Sequence, residues 1–160
     1  MKKWGLYEWS VILFFFVVPA TAIVAELLLK KPLPIRMMSE IALKWMVFSG
    51  VGLRLGSAGL KQIKQPQFTA KEIFRVSDER AISLVKEVGF ANVSFSSIAL
   101  ISLIIPSFRL PAAIAGGLYF GLAGLLHIQK VEASSAEKFA MVSDIYIFIV
   151  LLFLVIFTLK

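Results

Sequence analysis

Ala140-Met-Val-Ser-Asp144-Ile-Tyr-Ile-Phe-Ile-Val-Leu-Leu-Phe-Leu-Val-Ile-Phe-Thr-Leu159 is an apolar run with a single charged residue, Asp144. As a helix rising about 1.5 Å per residue it covers roughly 30 Å, the thickness of a bilayer's hydrocarbon core. Working outward, Tyr7–Leu29, Ser83–Ile105 and Leu110–Ile128 repeat the pattern. Ile41–Leu60 repeats it less fully, because Lys44, Arg54 and four glycines (50, 52, 56 and 59) dilute it. Of the 160 residues 59% are hydrophobic and 17% charged, more apolar surface than a soluble domain of this size can hide. The sequence therefore predicts an all-α integral membrane helical bundle, one domain over 1–160, with five spans at about 7–29, 41–60, 83–105, 110–128 and 140–159. Lys2 and Lys3 ahead of an apolar run also suit a signal peptide. The length of that run, and Glu26-Leu-Leu-Leu-Lys30 where small residues should precede cleavage, favour a retained helix.

Five spans give the basic residues a side. With the N-terminus go Lys2, Lys3, Lys61, Lys64, Lys71, Arg75, Arg80, Lys86, Lys130 and Lys138; opposite lie Lys30, Lys31, Arg36, Arg109 and Lys160. That two-to-one bias places the N-terminus in the cytoplasm and the C-terminus outside, in the cell (plasma) membrane. The net charge of +7 then reads as topology and attraction to anionic lipid, not as a nucleic-acid surface. Cysteine is absent, which removes dithiol and thiolate chemistry, and the single histidine, His127, cannot build a multi-histidine metal site.

Links between spans carry local signals. Lys31-Pro-Leu-Pro34 reads as a stiff external turn. From 65 to 80 the chain turns polar and forms a cytoplasmic interfacial segment. There Thr69-Ala-Lys-Glu72 has the spacing of a capping box opening a short helix, with Phe68, Ile73, Phe74 and Val76 on an apolar side and Lys71, Glu72 and Arg75 on a polar one. Ser77-Asp-Glu79 resembles an N-cap that starts the third helix before the membrane, and Ser134 with Glu137 a capping box for the fifth. Gly52, Gly56 and Gly59 share one helix face, and Ala113, Gly117, Gly121 and Gly124 another. Small residues so spaced let backbones approach, here more readily inside the bundle than in a dimer. Ser94, Ser96, Ser97 and Ser102 are expected to bond across helices or to their own preceding turn.

Alternating span direction places Arg54, Glu87, His127 and Asp144 in one third of the bilayer, near the cytoplasmic face, with Asn92 about 7.5 Å deeper than Glu87. Charge at that depth faces the interior and is paired, so the expectation is one binding or polar network in which Glu87, Asp144 or both hold Arg54, with His127 nearby. Snorkelling to the head groups is the competing account, strongest for His127. Glu26 and Lys44 match in depth at the other side and form a second candidate pair, against which snorkelling to the nearby interface is at least as good an account. No metal ligand set is present, and no catalytic residue can be assigned.

Gly50-Val-Gly-Leu-Arg54-Leu-Gly-Ser-Ala-Gly-Leu-Lys61, Lys86-Glu87-Val-Gly-Phe-Ala-Asn92 and Phe108-Arg109-Leu-Pro-Ala-Ala113 resemble the pattern of DoxX-like small polytopic membrane proteins. Glu87–Asn92 and Gly124–His127 look closer still to an uncharacterised bacterial branch with a Glu-x-Gly-Phe-Ala-Asn motif. The resemblance runs from about 45 to 158 and implies a four-helix core to which the first helix is an addition. It also implies company, since DoxX-like proteins include quinone-linked oxidoreductase subunits, partners of redox enzymes, and assembly or cargo factors.

Two functions stay open on the sequence. One is an accessory or quinone-proximal subunit of a membrane redox complex, with no catalysis of its own, the polar network fixing the bundle or touching a quinone or lipid head group. The other is a proton- or cation-coupled transporter or channel, which at this size must oligomerise. No cofactor is predicted beyond that quinone or lipid. The partners expected are the bilayer, its anionic lipids, and a larger complex or a homo-oligomer.

Overall fold

The structure, a computed structural model, describes residues 5–30, 34–74, 76, 78–129 and 135–159. The link at Lys31–Pro34, the cap at Ser77 and the box at Ser134 fall wholly or partly outside them. Within the described residues the chain is helical. We label the elements α1 (Leu6–Leu29), α2 (35–64), α3 (66–73), α4 (Arg80–Ile101), α5 (Pro106–Ile128) and α6 (Ser135–Leu159). Four of them, α1, α4, α5 and the 137–159 stretch of α6, are long and apolar enough to cross a membrane.

The fifth long helix, α2, is the centre of the bundle. It packs against α1, α4, α5 and α6, and Ile41, Leu43, Met46, Val47, Val51, Leu55 and Gly59 along it are buried. A helix enclosed by others does not need a lipid-compatible surface, so Lys44 and Arg54 are tolerated where a lipid-facing helix would exclude them. Its 30 residues run the full height of the bundle, about 45 Å at helical rise.

The first helix is no appendage. Val11 and Phe15 of α1 join Val47, Val51, Phe120, Ile147 and Leu151 in the core, with Phe15 edge-on to Phe120 at 5.6 Å. Both α1 and α2 widen into a π turn, at Leu13–Val17 and Val47–Leu53, and the two turns touch. A π turn leaves carbonyls poorly served by their own helix, and Ser49 Oγ donates to the Phe14 carbonyl at 2.6 Å across the pair. The wide turn ends immediately before Arg54.

Glycine faces are used inside the bundle. Gly52, Gly56 and Gly59 of α2 lie against Leu100, Ser96 and Gly89 of α4, and Gly117, Gly121 and Gly124 of α5 against Leu151, Phe148 and Ile145 of α6. Of Ser94, Ser96, Ser97 and Ser102, only Ser96 crosses, donating to the Gly52 carbonyl at 2.7 Å; the other three bond their own preceding turns. Ser96→Ala is expected to lower thermal stability in detergent by about 1 kcal/mol, and Ser97→Ala by no measurable amount.

Local boundaries depart from the sequence reading in two places. Pro66 occupies the first turn of α3, so that helix starts three residues earlier than the Thr69 box implied, and Thr69 is buried inside it. α4 begins at Arg80, with Asp78 Oδ1 accepting the Arg80 N–H at 2.9 Å, and ends at Ile101, because Pro106 starts the next helix.

Candidate functional site

A cavity of about 420 Å³ opens between the first turns of α1 and α6, the middle of α4, the last turns of α2 and α5, and α3. The volume falls within the roughly 300–1,000 Å³ usual for small-molecule sites. Arg54, Asn92, His127 and Asp144 all line it, from four different helices, although they are 7, 2, 8 and 8% exposed. Each sits on its helix's buried stripe. On α5, Ala113, Gly117, Phe120, Gly124 and His127 are buried at spacings of three and four, so His127 continues the packed face instead of reaching outward. On α6, Glu137, Ala140, Asp144, Ile147 and Leu151 follow the same period.

Glu87 is placed elsewhere. The buried face of α4 is Val85, Gly89, Asn92, Ser96 and Ala99, and Glu87 lies two residues, about 200°, from Val85. It is exposed beside Lys86 and does not line the cavity, so depth matched it to Arg54 but helical phase did not. The acid that joins the cluster is Glu137, fully buried, with Oε1 3.7 Å from His127 Nδ1. It sits seven residues before Asp144 on one face, a spacing legible in the sequence but masked there by its apparent capping role.

Arg54 has Tyr7 as its polar neighbour and no ion pair among the described residues. Its guanidinium carbon lies 5.2 Å from the centre of the Tyr7 ring, its Nε has no hydrogen-bond partner, and no carboxylate of the described residues comes within 4.0 Å. Asp144 is the acid within its electrostatic reach. Asn92 Nδ2 donates to Gln62 Oε1 at 2.7 Å, while its Oδ1 has no donor. Tyr119 stands beside Asn92, and Lys61 Nζ lies 3.4 Å from the centre of the Phe68 ring at the α3 wall. Phe68, Ile73 and Phe74, from the apolar side of the interfacial segment, line the cavity. Tyr7, Lys61, Gln62, Tyr119 and Glu137 are the site residues that reading by depth missed. Tyr7 had a signal, one turn ahead of Val11 and two ahead of Phe15 on the same face.

The far end holds a separate cluster. Glu26 of α1 accepts from Lys44 Nζ, from Trp45 Nε1 at 2.7 Å and from Lys30 Nζ at 2.8 Å. It joins α1 to α2. Between the two clusters Phe15, Val51, Phe120 and Ile147 make an apolar floor.

The cavity thus presents two cations, Arg54 and Lys61, one nearby acid, a histidine paired with a buried carboxylate, and two tyrosines in a largely apolar shell. Such a set can bind and orient a polar head and exchange protons with it. Among the described residues no group of three or more histidine, aspartate or glutamate side chains could hold a metal ion. No curated protein and no solved structure matches the chain. A family model does, over residues 9–160, which takes in the cavity-lining residues except Leu6 and Tyr7. The chain belongs to that family, described as a family of unknown function (DUF6790).

Proposed function

We propose that this chain is an accessory, quinone-proximal or lipid-binding subunit of a larger membrane complex, and that the cavity holds the polar head of a bilayer amphiphile. The observation that carries the reading is Arg54, a buried cation facing an open cavity with no carboxylate within 4.0 Å. Burying an unpaired guanidinium is costly, and chains retain such a group where a ligand completes it. Apolar walls from Leu55, Phe68 and Phe120 suit the part of the ligand next to its head.

Five spans with the cavity toward the cytoplasm belong to the same proposal. The full-height helix α2 and the basic bias of the cavity end support it. The DoxX-like likeness of residues 45–158 is part of it too, as the source of the redox-complex expectation. Transport through one chain is less well supported, because the apolar floor separates the cavity from the Glu26 cluster.

Isolation from native membranes in mild detergent, followed by mass spectrometry of bound proteins and small molecules, tests this. A partner protein and a retained amphiphile are expected, the amphiphile falling at least about tenfold in Arg54→Leu while helicity is kept. A chain that emerges alone and empty would sink the reading.

A further inference from the structure

The polar atoms that line the cavity narrow the ligand, given the head-group reading just proposed. One group needs an anion or acceptor: the Arg54 guanidinium, with its unpartnered Nε and no carboxylate within 4.0 Å among the described residues. Two groups need a donor. Asn92 Oδ1 is buried without one, its own Nδ2 being committed to Gln62. The Asp144 carboxylate lines the same space from α6 and has no ion pair among the described residues, Arg54 being the charge it senses. The site therefore lacks both a negative and a positive partner, on different walls: α2 for the first, α4 and α6 for the second.

We propose that the cavity takes a zwitterionic aminophosphate head, with its phosphate against Arg54 and Lys61 and its primary ammonium against Asp144 and Asn92. A phosphate matches the guanidinium fork and would be charge-assisted. A primary ammonium brings three donors, enough for the carboxylate and for Asn92 Oδ1 together. Competing heads satisfy only half of the inventory. Quinone carbonyls only accept, so they serve Arg54 and leave Asp144 and Asn92 Oδ1 without donors. A phosphate bearing no ammonium serves Arg54 but brings its charge toward Asp144, with no cation to offset it. A phospholipid head and a free aminoalkyl phosphate share this chemistry.

Native mass spectrometry of the purified full chain, titrated with short-chain lipids, tests the match. Dihexanoyl phosphatidylethanolamine is expected to bind at least tenfold more tightly than dihexanoyl phosphatidylmethanol, which is anionic and carries no ammonium. Stepwise N-methylation of the amine should weaken binding progressively as N–H donors are lost, a trend that needs no mutant. Asp144→Asn should bring the ethanolamine lipid to within about twofold of phosphatidylmethanol, and Arg54→Gln should weaken both. Competition by free O-phosphoethanolamine would assign the soluble source, and its failure to compete the lipid; either supports the proposal. Equal affinity for the two lipids, no effect of N-methylation, or tighter binding of a short-chain ubiquinone would overturn it. If one of those ligands still depended on Arg54, the head-group reading would stand without the zwitterion. If no amphiphile bound in an Arg54-dependent way, both would fall.

Discussion

Gly59→Val is expected to break the contact between α2 and α4 and to destabilise the detergent-solubilised protein by about 3 kcal/mol, the upper part of the range for overpacking. A Cβ at Gly59 would stand 2.7 Å from the Gly89 carbonyl oxygen, 2.9 Å from Val93 Cγ2 and 3.0 Å from the Val93 backbone nitrogen. Two of those three atoms are backbone and cannot rotate away, so relief requires the helices to separate. The contact is reciprocal, since a Cβ at Gly89 would meet the Gly59 carbonyl oxygen at 3.0 Å. Separation would also pull Asn92 from Gln62 and open the cavity wall. Gly117→Ala is the control: its Cβ would find Leu151 Cβ at 3.6 Å, ordinary contact, and alanine is the better helix former. Thermal unfolding followed by circular dichroism should show a large loss for the first and none for the second. Equal behaviour would mean that α2 and α4 are not packed on these glycines.

Glu26→Leu should be the most damaging single change at the far end of the bundle, costing about 2–3 kcal/mol. Three donors converge on this carboxylate, and two of them, Lys44 Nζ and Trp45 Nε1, are part-buried. Removing the acceptor strands both at once, whereas Lys44→Leu leaves Glu26 with Trp45 and Lys30 and should cost about 1 kcal/mol. The value stays below the 3–5 kcal/mol of a fully buried pair because Lys30 is half exposed and water can reach it. In a double-mutant cycle, Glu26→Leu on top of Lys44→Leu is expected to cost less than Glu26→Leu alone. Strict additivity would show that the two residues merely approach the interface independently.

Legibility in the sequence followed the range of the physics. Apolar runs of bilayer length are local, so α1, α4, α5 and α6 could be placed from composition, and the glycine spacings announced close-packed faces before any partner was known. Depth is also nearly local, and it brought Arg54, His127 and Asp144 to one level, with Asn92 about a turn and a half deeper. What it cannot supply is phase. Glu87 has the right depth and the wrong side of its helix, while Glu137 has the right side and was read only as a cap. The extent of α3 was missed because a proline at a first helical turn outweighed a capping pattern three residues later.

The partners of each face were decided only in three dimensions. That α2, the least apolar of the long helices, is the bundle's axis follows from its enclosure by α1, α4, α5 and α6, which buries Arg54 and part-buries Lys44. That Tyr7 of the first helix faces Arg54 of the second depends on which stripes meet, and no spacing within either helix specifies it. By itself the sequence determined a helical chain with segments long and apolar enough to cross a membrane and a few charges within them, because hydrophobic length and residue rise are properties of a single segment. The tertiary structure alone decided that one of those sets surrounds a cavity and the other pins two helices together. Whether buried charges pair or stand apart is set by the packing of different segments against each other.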